Sequence, residues 1–319
     1  MKKSEIESYV KAGGIAKEVK EFARGMIKPG VKLIDIADAV DAKIVELGGE
    51  AAFPVNLSLN EIAAHYTPTP GDEKVAEGIL KVDIGVAVDG FIADTAFSVD
   101  LTKNNEFTEM ISLNEKILYE ISKIIKSGMM VKDVGDAAQD VLEKWNASRE
   151  NRELGIENRG TKKFSIIKSL SGHELGKNSI HAGLTFSNYR NDSRRVVDDM
   201  TFAIEPFVTT GVGDIYEGPV GGIYVLQSDE NVRDRDAREV LKFVREKYQG
   251  RPFCLRFLVK NFENLSIAKL KFILGMMVRQ GILHEYPMLI EKSRAPVSQF
   301  ENTFVVSDGK VVCTTGDEK

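Results

Sequence analysis

The amino-terminal part of the chain carries apolar residues at the spacing of an amphipathic helix. Val10, Ile15 and Val19 recur at near-helical intervals, which predicts a helix over residues 4–24 with one face on a core. A second apolar stripe follows and ends at Gly48-Gly49, which predicts a second helix directly after the first. The same periodicity returns later in the chain. The later helical segments are 107–127, 132–148 and 234–283.

A strictly alternating segment begins near residue 80. In LKVDIGVAVDGFIADTAFSVD, apolar residues alternate with small or polar ones, and Asp89-Gly90 lies at the centre. Asp-Gly is a favoured two-residue hairpin turn, so the segment predicts an antiparallel hairpin in which Asp83 faces Ala96. Asp94 is then the diagonal neighbour of Asp83 on the same face, roughly 7–8 Å away. One face of this hairpin is apolar, and the small-sided opposite face carries both carboxylates.

Helical and β-like segments alternate twice along the chain. A helix pair precedes the hairpin, and a second pair precedes a glycine-rich β-region over 201–227. This order favours an α+β fold with an internal duplication. The helical segment 231–290 interrupts the second β-region, so we expect an inserted subdomain between the two parts of one larger domain, 1–230 and 291–319. The polar stretch 149–163 predicts an exposed loop.

Composition excludes several classes of protein. The 319 residues carry 43 Lys+Arg and 48 Asp+Glu, for a net charge of −5, which argues against a basic nucleic-acid-binding surface over the whole chain. The charged amino terminus has no apolar core, and no segment approaches the roughly 18 apolar residues of a membrane span. We therefore expect a cytoplasmic protein without membrane contact. Cys254 and Cys313 lie far apart, and there are only four histidines, so a metal site must use mainly carboxylates.

Three further segments place candidate metal ligands in β-like surroundings. His173 and His181 lie eight residues apart between glycines, which fits a strand–loop–strand and not the helical pair of an HExxH site. Glu205 and Glu301 each lie among large apolar residues, where a carboxylate needs a partner or a cation. With the two aspartates, this set suffices for two divalent ions about 3.5–4 Å apart. For the hairpin alone, a solvated sheet face with incidental acids remains an alternative.

The order of these segments resembles the type II methionine aminopeptidases, the archaeal and eukaryotic branch of the pita-bread metallopeptidases. The resemblance spans nearly the whole chain and includes the helical insert, which type I enzymes lack. It implies a pita-bread catalytic domain, with a pseudo-two-fold antiparallel sheet and helices on its outer face. The matching strings are AFPVNLSLNEIAAHYTP (52–68), DIG…D (83–94), LSGH…IHAG (170–183), FAIEPF…TG.G (202–213) and APVSQFENTF (295–304).

The resemblance implies a ligand set for two divalent metal ions. Asp83 would hold the second metal, Asp94 and Glu301 would bridge the two metals, and His173 and Glu205 would hold the first. The oxygen-rich set suits manganese, iron, cobalt or zinc. Two neighbours of these positions depart from the family pattern. They are Glu174, which follows His173, and Asn302, which follows Glu301.

The resemblance also implies roles in the removal of the initiator methionine from nascent chains with a small second residue. Water activated by the metals would attack the methionine carbonyl, Glu205 would carry the proton, and His181 would stabilise the oxyanion. His65, which by itself is compatible with a structural role, would contact the scissile amide. Phe53, Pro54 and Ile180 would lie near the pocket for the methionine side chain, which as a soft thioether suits an apolar site.

Two other functions are compatible with the same fold. A prolidase or aminopeptidase P would cleave X-Pro peptides instead of peptides that begin with methionine. A protein that has lost catalysis could bind ribosomes or RNA, but here every ligand position is filled. The basic run 242–260 favours a solvated face of the insert, with contact to ribosomal RNA as the alternative. We expect a monomer that acts on nascent polypeptide N-termini and binds no specific nucleic acid.

Overall fold

The computed structural model describes residues 1–153 and 163–316, and within them seven helices and sixteen strands. Helices and antiparallel sheets alternate along the chain, so the expected α+β fold is confirmed. The helices are α1 (Lys3–Met26), α2 (Leu33–Glu46), α3 (Thr108–Ile124), α4 (Lys132–Glu153), α5 (Arg235–Tyr248), α6 (Leu255–Asn261) and α7 (Ile267–Arg279). The strands are β1 (Glu50–Ala51), β2 (Asn56–Leu59), β3 (Ile62–Ala64), β4 (Ile79–Val88), β5 (Phe91–Asp100), β6 (Ser165–Ile166), β7 (Ser171–Leu175), β8 (Thr185–Ser187), β9 (Met200–Ile204), β10 (Phe207–Thr209), β11 (Ile215–Leu226), β12 (Phe253–Cys254), β13 (Leu283–Glu291), β14 (Val297–Gln299), β15 (Asn302–Ser307) and β16 (Lys310–Cys313).

The predicted first helix packs along the hairpin formed by β4 and β5. Its buried face includes Ala16, Val19 and Ala23, which are inaccessible to solvent, as the near-helical apolar spacing requires. Small residues on this face allow a close approach. A Cβ added at Gly13 would lie 2.4 Å from the Cβ of Thr314, so only glycine lets α1 contact the carboxy-terminal segment there.

The hairpin has the register that the sequence predicts. Val88 pairs with Phe91 and Asp83 with Ala96, and the two turn residues both have positive φ, as a type I′ turn requires. The acidic face is also buried, since Asp94 is only 3% exposed. The alternative of a solvated face with incidental acids is therefore wrong.

Four sheets form the described β-structure, and every strand pairing within them is antiparallel. The hairpin belongs to the sheet β1–β4–β2, and a five-stranded sheet has the order β16–β15–β9–β7–β8. An isolated bridge between Ala96 and Glu301 joins these two sheets. The main core lies between them and the helices α1 to α4.

The segment 231–290 contains a hydrophobic cluster of its own, built from α5, α6, α7 and the residues around them. Its last residues form β13, which pairs with β11 and β3 and so belongs to the sheet of the larger part. The division into an insert and a catalytic domain stays a proposal, which the separate cluster supports.

Basic residues of the run 242–260 pair with acids of the same chain. Two of them are buried, because Arg251 and Arg256 are only 4% and 2% exposed. This pairing favours an internal role over an open basic surface. The pairs are Lys242–Glu246, Lys247–Glu50, Arg251–Glu50, Arg256–Asp41 and Lys260–Asp38.

The polar stretch 149–163 was expected to be a loop, and for its first part this is wrong. Helix α4 continues to Glu153, because polar residues with good helix propensity extend a helix that is already nucleated by packing. Residues 154–162 lie outside the described part of the chain.

Candidate active site

The two hairpin aspartates meet a glutamate from the other end of the chain. The backbone N–H of Glu301 donates to the carbonyl of Ala96 at 3.0 Å, and Thr303 Oγ1 both accepts from the N–H of Asp94 and donates to its carbonyl, each at 2.8 Å. These contacts dock the start of β15 on β5. As a result, the carboxylate of Glu301 faces that of Asp94 across the sheet junction.

A further acid and the histidine come from the five-stranded sheet, Glu205 from the residue that follows β9 and His173 from β7. His173 lies in β7, and its Nε2 is 3.8 Å from Asp94 Oδ2 and 3.7 Å from Glu205 Oε1. Glu205 was expected inside a strand, but it lies in the break between β9 and β10. Pro206 has no N–H to continue the ladder, and Asn188 Nδ2 donates to the Glu205 carbonyl at 3.0 Å.

Gln299 joins the remaining pair of carboxylates. Its Nε2 lies 3.4 Å from Asp83 Oδ2 and 3.4 Å from Glu205 Oε2. The residue is 1% exposed, so its amide is held in place and offers a hydrogen-bond donor to both carboxylates.

Buried like charges dominate the electrostatics of this cluster. Burial raises the pKa of Asp83 to about 7. Burial and then the neighbouring carboxylates raise the pKa values of Asp94 and Glu301 well above the ordinary range. Burial and the charge of Asp83 do the same for Glu205. Four acids in one buried space are costly without a cation.

The residues present fit a divalent metal ion. Asp94, His173 and Glu301 each offer one ligand atom within 4.8 Å of the others. Within the described part of the chain, Asp83 Oδ1, Asp94 Oδ1 and Glu301 Oε1 are buried and lack a hydrogen-bond partner. Carboxylate oxygens with one imidazole are a donor set for divalent transition metals, and a bound cation would satisfy the unpaired oxygens.

A cavity of about 560 Å³ opens beside the carboxylates. One wall is apolar, because Phe53 and Ile180 pack with Ala52, Ala87, Ile92, Leu175 and Ala203. A Cβ at Gly85 would lie 2.2 Å from Phe53 Cε1, so the small side of the hairpin makes room for this ring. Pro54 is buried but is not among the described residues that line the cavity.

Two further histidines line the same cavity. Burial lowers the pKa of His65 to about 4, so its imidazole is neutral at neutral pH. His181 is accessible from the cavity, although desolvation by the surrounding protein still lowers its pKa. Its ring stands edge-on to that of His173, with centroids 4.6 Å apart. Nine of the ten residues expected at the site line this one cavity, and Pro54 is the exception.

The sequence pattern did not single out three residues that build the site. Asn56 accepts from the N–H of His65 at 2.9 Å and donates to the carbonyl of Pro54 at 3.0 Å. Tyr286 packs on His65 with ring centroids 5.2 Å apart, and Gln299 bridges two acids. Asn56 and Gln299 lie within the strings that carry the resemblance, so their proximity to candidate ligands was the available signal. Tyr286 had none.

The fold and the site together define a metal-dependent hydrolase. Residues 7–250 match the model of a family described as Metallopeptidase family M24, and the chain belongs to that family. It is 39% identical over 315 residues to a methionine aminopeptidase of Thermococcus onnurineus (strain NA1), with 98% of this chain and 99% of that protein covered.

Solved structures show the same fold. A methionine aminopeptidase from Thermotoga maritima matches with a TM-score of 0.66 at 21% identity, over 99% of this chain and 98% of that one. The prolidase from Pyrococcus furiosus matches with a TM-score of 0.58 at 15% identity, over 100% of this chain and 65% of that one. The expected pita-bread fold is therefore confirmed, and because both enzymes share it, the fold alone does not choose the substrate.

Proposed function

We propose that this protein is a methionine aminopeptidase that removes the initiator methionine from nascent chains and peptides with a small second residue. The observation that carries the proposal is that a buried carboxylate–histidine cluster and an apolar pocket line one cavity. Full-length similarity to proteins called methionine aminopeptidases supports it.

Two divalent cations, of cobalt, manganese, iron or zinc, are proposed for the site. Asp83 would hold one cation, His173 and Glu205 would hold the other, and Asp94 and Glu301 would lie between them. The unpaired oxygens of Asp83, Asp94 and Glu301 support a bound cation beside these carboxylates. When bound, such cations lower the pKa of water and polarise a carbonyl oxygen.

The side chains around the cations would orient the substrate and move protons. Glu205, whose pKa is raised by burial and by Asp83, would accept the proton of the attacking water and pass it to the leaving amine. His181 remains neutral because its pKa is lowered, so it would donate one N–H to the oxygen of the scissile carbonyl. His65, also neutral, would contact the scissile amide.

The methionine side chain would occupy the apolar wall of the cavity. Phe53 and Ile180 offer a soft, uncharged surface of the kind that a thioether fills. Pro54 would support this wall from behind, since it is buried next to Phe53.

The proposed partners are the N-termini of nascent polypeptides. None of the described helices combines the length and apolarity needed to cross a membrane. A cytoplasmic location, a monomeric state and contact with the ribosome stay predictions. A salt-sensitive ribosome pelleting assay with intact protein tests the last of these, and binding without salt dependence would contradict a role for the basic run.

Peptide turnover tests the proposed function. Metal-free protein is titrated separately with each of the four metals and is offered Met-Gly, Met-Lys and Ala-Pro peptides of equal length. We expect release of methionine from Met-Gly peptides, much less from Met-Lys peptides and no cleavage before proline. Cleavage of X-Pro peptides with Met-Gly peptides left intact would instead indicate a prolidase-like enzyme.

A further inference from the structure

The residue that follows His173 holds the loop that carries His181. This loop, residues 176–184, joins β7 to β8, and we call it the histidine loop. Glu174 lies at its base, and it departs from the pattern of the resembled family. The metal cluster does not include Glu174, so its carboxylate needs another explanation.

Glu174 makes three hydrogen bonds to the far end of the histidine loop. Its N–H donates to the Leu184 carbonyl at 2.8 Å, and its carbonyl accepts from the Ala182 N–H at 2.9 Å. In addition, its Oε2 accepts from the Leu184 N–H at 3.0 Å. The backbone bonds form whatever the side chain is, but the third bond needs an acceptor of this length.

The local backbone shows why this third bond is needed. Gly183 has a φ of +145°, a conformation that residues with a Cβ rarely adopt, and a Cβ there would lie 3.5 Å from Glu174 Oε2. The chain thus turns sharply between Ala182 and Leu184. The carboxylate crosses this turn through its hydrogen bond from the Leu184 N–H.

Ile180 and His181 differ in what surrounds their side chains. Ile180 packs with Phe53 and Leu175 in an apolar cluster, so its side chain is held independently. His181 is exposed to the cavity, with its ring against that of His173. An exposed ring takes its orientation mainly from the backbone that carries it.

The tip of the loop is attached separately. The N–H of Asn178 donates to the Gly90 carbonyl at 2.7 Å, and its side chain donates to Gln249 Oε1 at 2.9 Å. The contact with Gln249 is exposed, so its removal should have little effect on His181. Gln249 therefore offers a matched control for the base of the loop.

We propose that Glu174 is a positioning residue that sets the orientation of His181 through its hydrogen bond to the Leu184 N–H. The consequence for catalysis rests on the proposed function, because it requires that His181 contact the reacting carbonyl. The consequence for the orientation of His181 does not require any reaction.

The test compares Glu174→Gln, which keeps an acceptor oxygen, with Glu174→Leu, which does not. We expect Glu174→Leu to lower kcat on a Met-Gly peptide by about tenfold, with KM changed less than about twofold, because misplacement of a reacting group affects the transition state. We expect Glu174→Gln to stay within about threefold of wild type, since the amide oxygen of glutamine can accept the same hydrogen bond. Gln249→Ala should resemble wild type.

Imidazole NMR of the metal-free protein gives a readout that needs no turnover. With four histidines in the chain, each ring signal can be assigned by single substitution. The His181 signals should move in Glu174→Leu and keep their positions in Glu174→Gln and Gln249→Ala. Glu174→Ser, whose short hydroxyl cannot reach Leu184, replaces the leucine variant if that variant does not fold.

The outcomes separate the two proposals. Unchanged His181 signals in Glu174→Leu or Glu174→Ser overturn the positioning role. Equal loss of kcat in Glu174→Gln and Glu174→Leu also overturns it, because the charge and not the hydrogen bond would then matter. If wild-type protein does not hydrolyse Met-Gly peptides, the proposed function fails while the NMR comparison still decides the role of Glu174.

Discussion

The side-chain amide of Gln299 donates to Asp83 and to Glu205, at 3.4 Å in each case. One neutral group therefore orients two acids, one on β4 and one directly after β9, that would otherwise repel each other. Partners of this kind typically change metal affinity about 10–100-fold when they are removed. Gln299 is thus expected to influence metal binding although it is not itself a candidate ligand.

Replacement of Gln299 by leucine tests that influence. We expect Gln299→Leu to weaken binding of the tightest metal by roughly 10–100-fold, because both carboxylates lose the donor that orients them. Isothermal titration of metal-free protein measures the change. Gln280→Leu, at the exposed end of α7, is the control, and equal affinity in both variants would contradict the prediction.

Removal of the Asp94 carboxylate should affect the melting temperature of the protein differently with and without metal. Without metal, Asp94→Ala relieves repulsion among buried acids, so we expect an equal or higher melting temperature. With metal, the ligand is missing, so the rise in melting temperature on metal addition should disappear. The rate of methionine release should fall by more than roughly 100-fold, which is the upper loss typical when a residue that hydrogen-bonds to a metal ligand is removed. Activity that survives the substitution would contradict the role of Asp94 as a bridging ligand.

An extra methyl group behind Phe53 should narrow the apolar pocket. A Cβ at Gly85 overlaps the ring, so Gly85→Ala must push Phe53 towards the cavity. Overpacking of this kind costs about 1–3 kcal/mol, and we expect KM for a Met-Gly peptide to rise roughly tenfold. Gly14→Ala, where the added Cβ meets no neighbour within 4 Å, is the control. An unchanged KM in the folded variant would place the methionine elsewhere.

A buried ion pair attaches the helical segment to α2. Arg256 Nη1 donates to Asp41 Oδ2 at 2.6 Å, and the same guanidinium donates to Thr67 Oγ1 and to the Pro68 carbonyl. Arg256→Met should lower the free energy of unfolding by about 3–5 kcal/mol, because Asp41 is left buried and unpaired. The double variant with Asp41→Leu should recover much of that loss. Urea denaturation of the wild type, the two single variants and the double variant measures the loss and its recovery. Additive losses in the double variant would contradict an interaction between the two residues.

Glu291 should make stability depend on acid pH. It is fully buried. Burial alone would raise its pKa, but hydrogen bonds from Ser293, Ala295 and Val212 lower the pKa below its ordinary value of 4.5. The unfolded state then binds the proton more tightly. The stabilisation is therefore present above about pH 4.5 and is lost as the pH falls through the native pKa.

The variant Glu291→Gln tests this dependence. We expect it to lower the free energy of unfolding by about 1–3 kcal/mol at pH 7, because an amide nitrogen would face backbone N–H donors. The deficit should begin to shrink below about pH 4.5, where the carboxylate of the unfolded wild-type protein binds a proton, and should vanish as the pH falls through the lower pKa of the native state. Denaturation between pH 3 and 7 measures it, with Glu263→Gln on an exposed turn as the control. A deficit independent of pH would contradict the assignment.

Local pattern was sufficient for the hairpin and for the presence of the helices, although α4 runs beyond its predicted end and β12 interrupts the last helical segment. Alternation and the Asp89-Gly90 turn together predicted the register of β4 and β5, because a two-residue turn leaves one pairing and the pleat then assigns each side chain to a face. The same reasoning placed Asp83 and Asp94 together. The position of the other ligands came from the resemblance to a known family and not from the pattern.

Long-range contacts decided the rest of the site. The pairing of Glu301 with Ala96 and the hydrogen bond from Gln299 to Asp83 join segments about 200 residues apart in the chain, and they bury the acidic face. Local periodicity does not determine which sheet edge covers which face, because many arrangements of the sheets are compatible with the same alternation of apolar and polar residues. The sequence by itself therefore determined which side chains share a strand face. Only the tertiary structure decided that these faces meet, away from water, around one space for a cation.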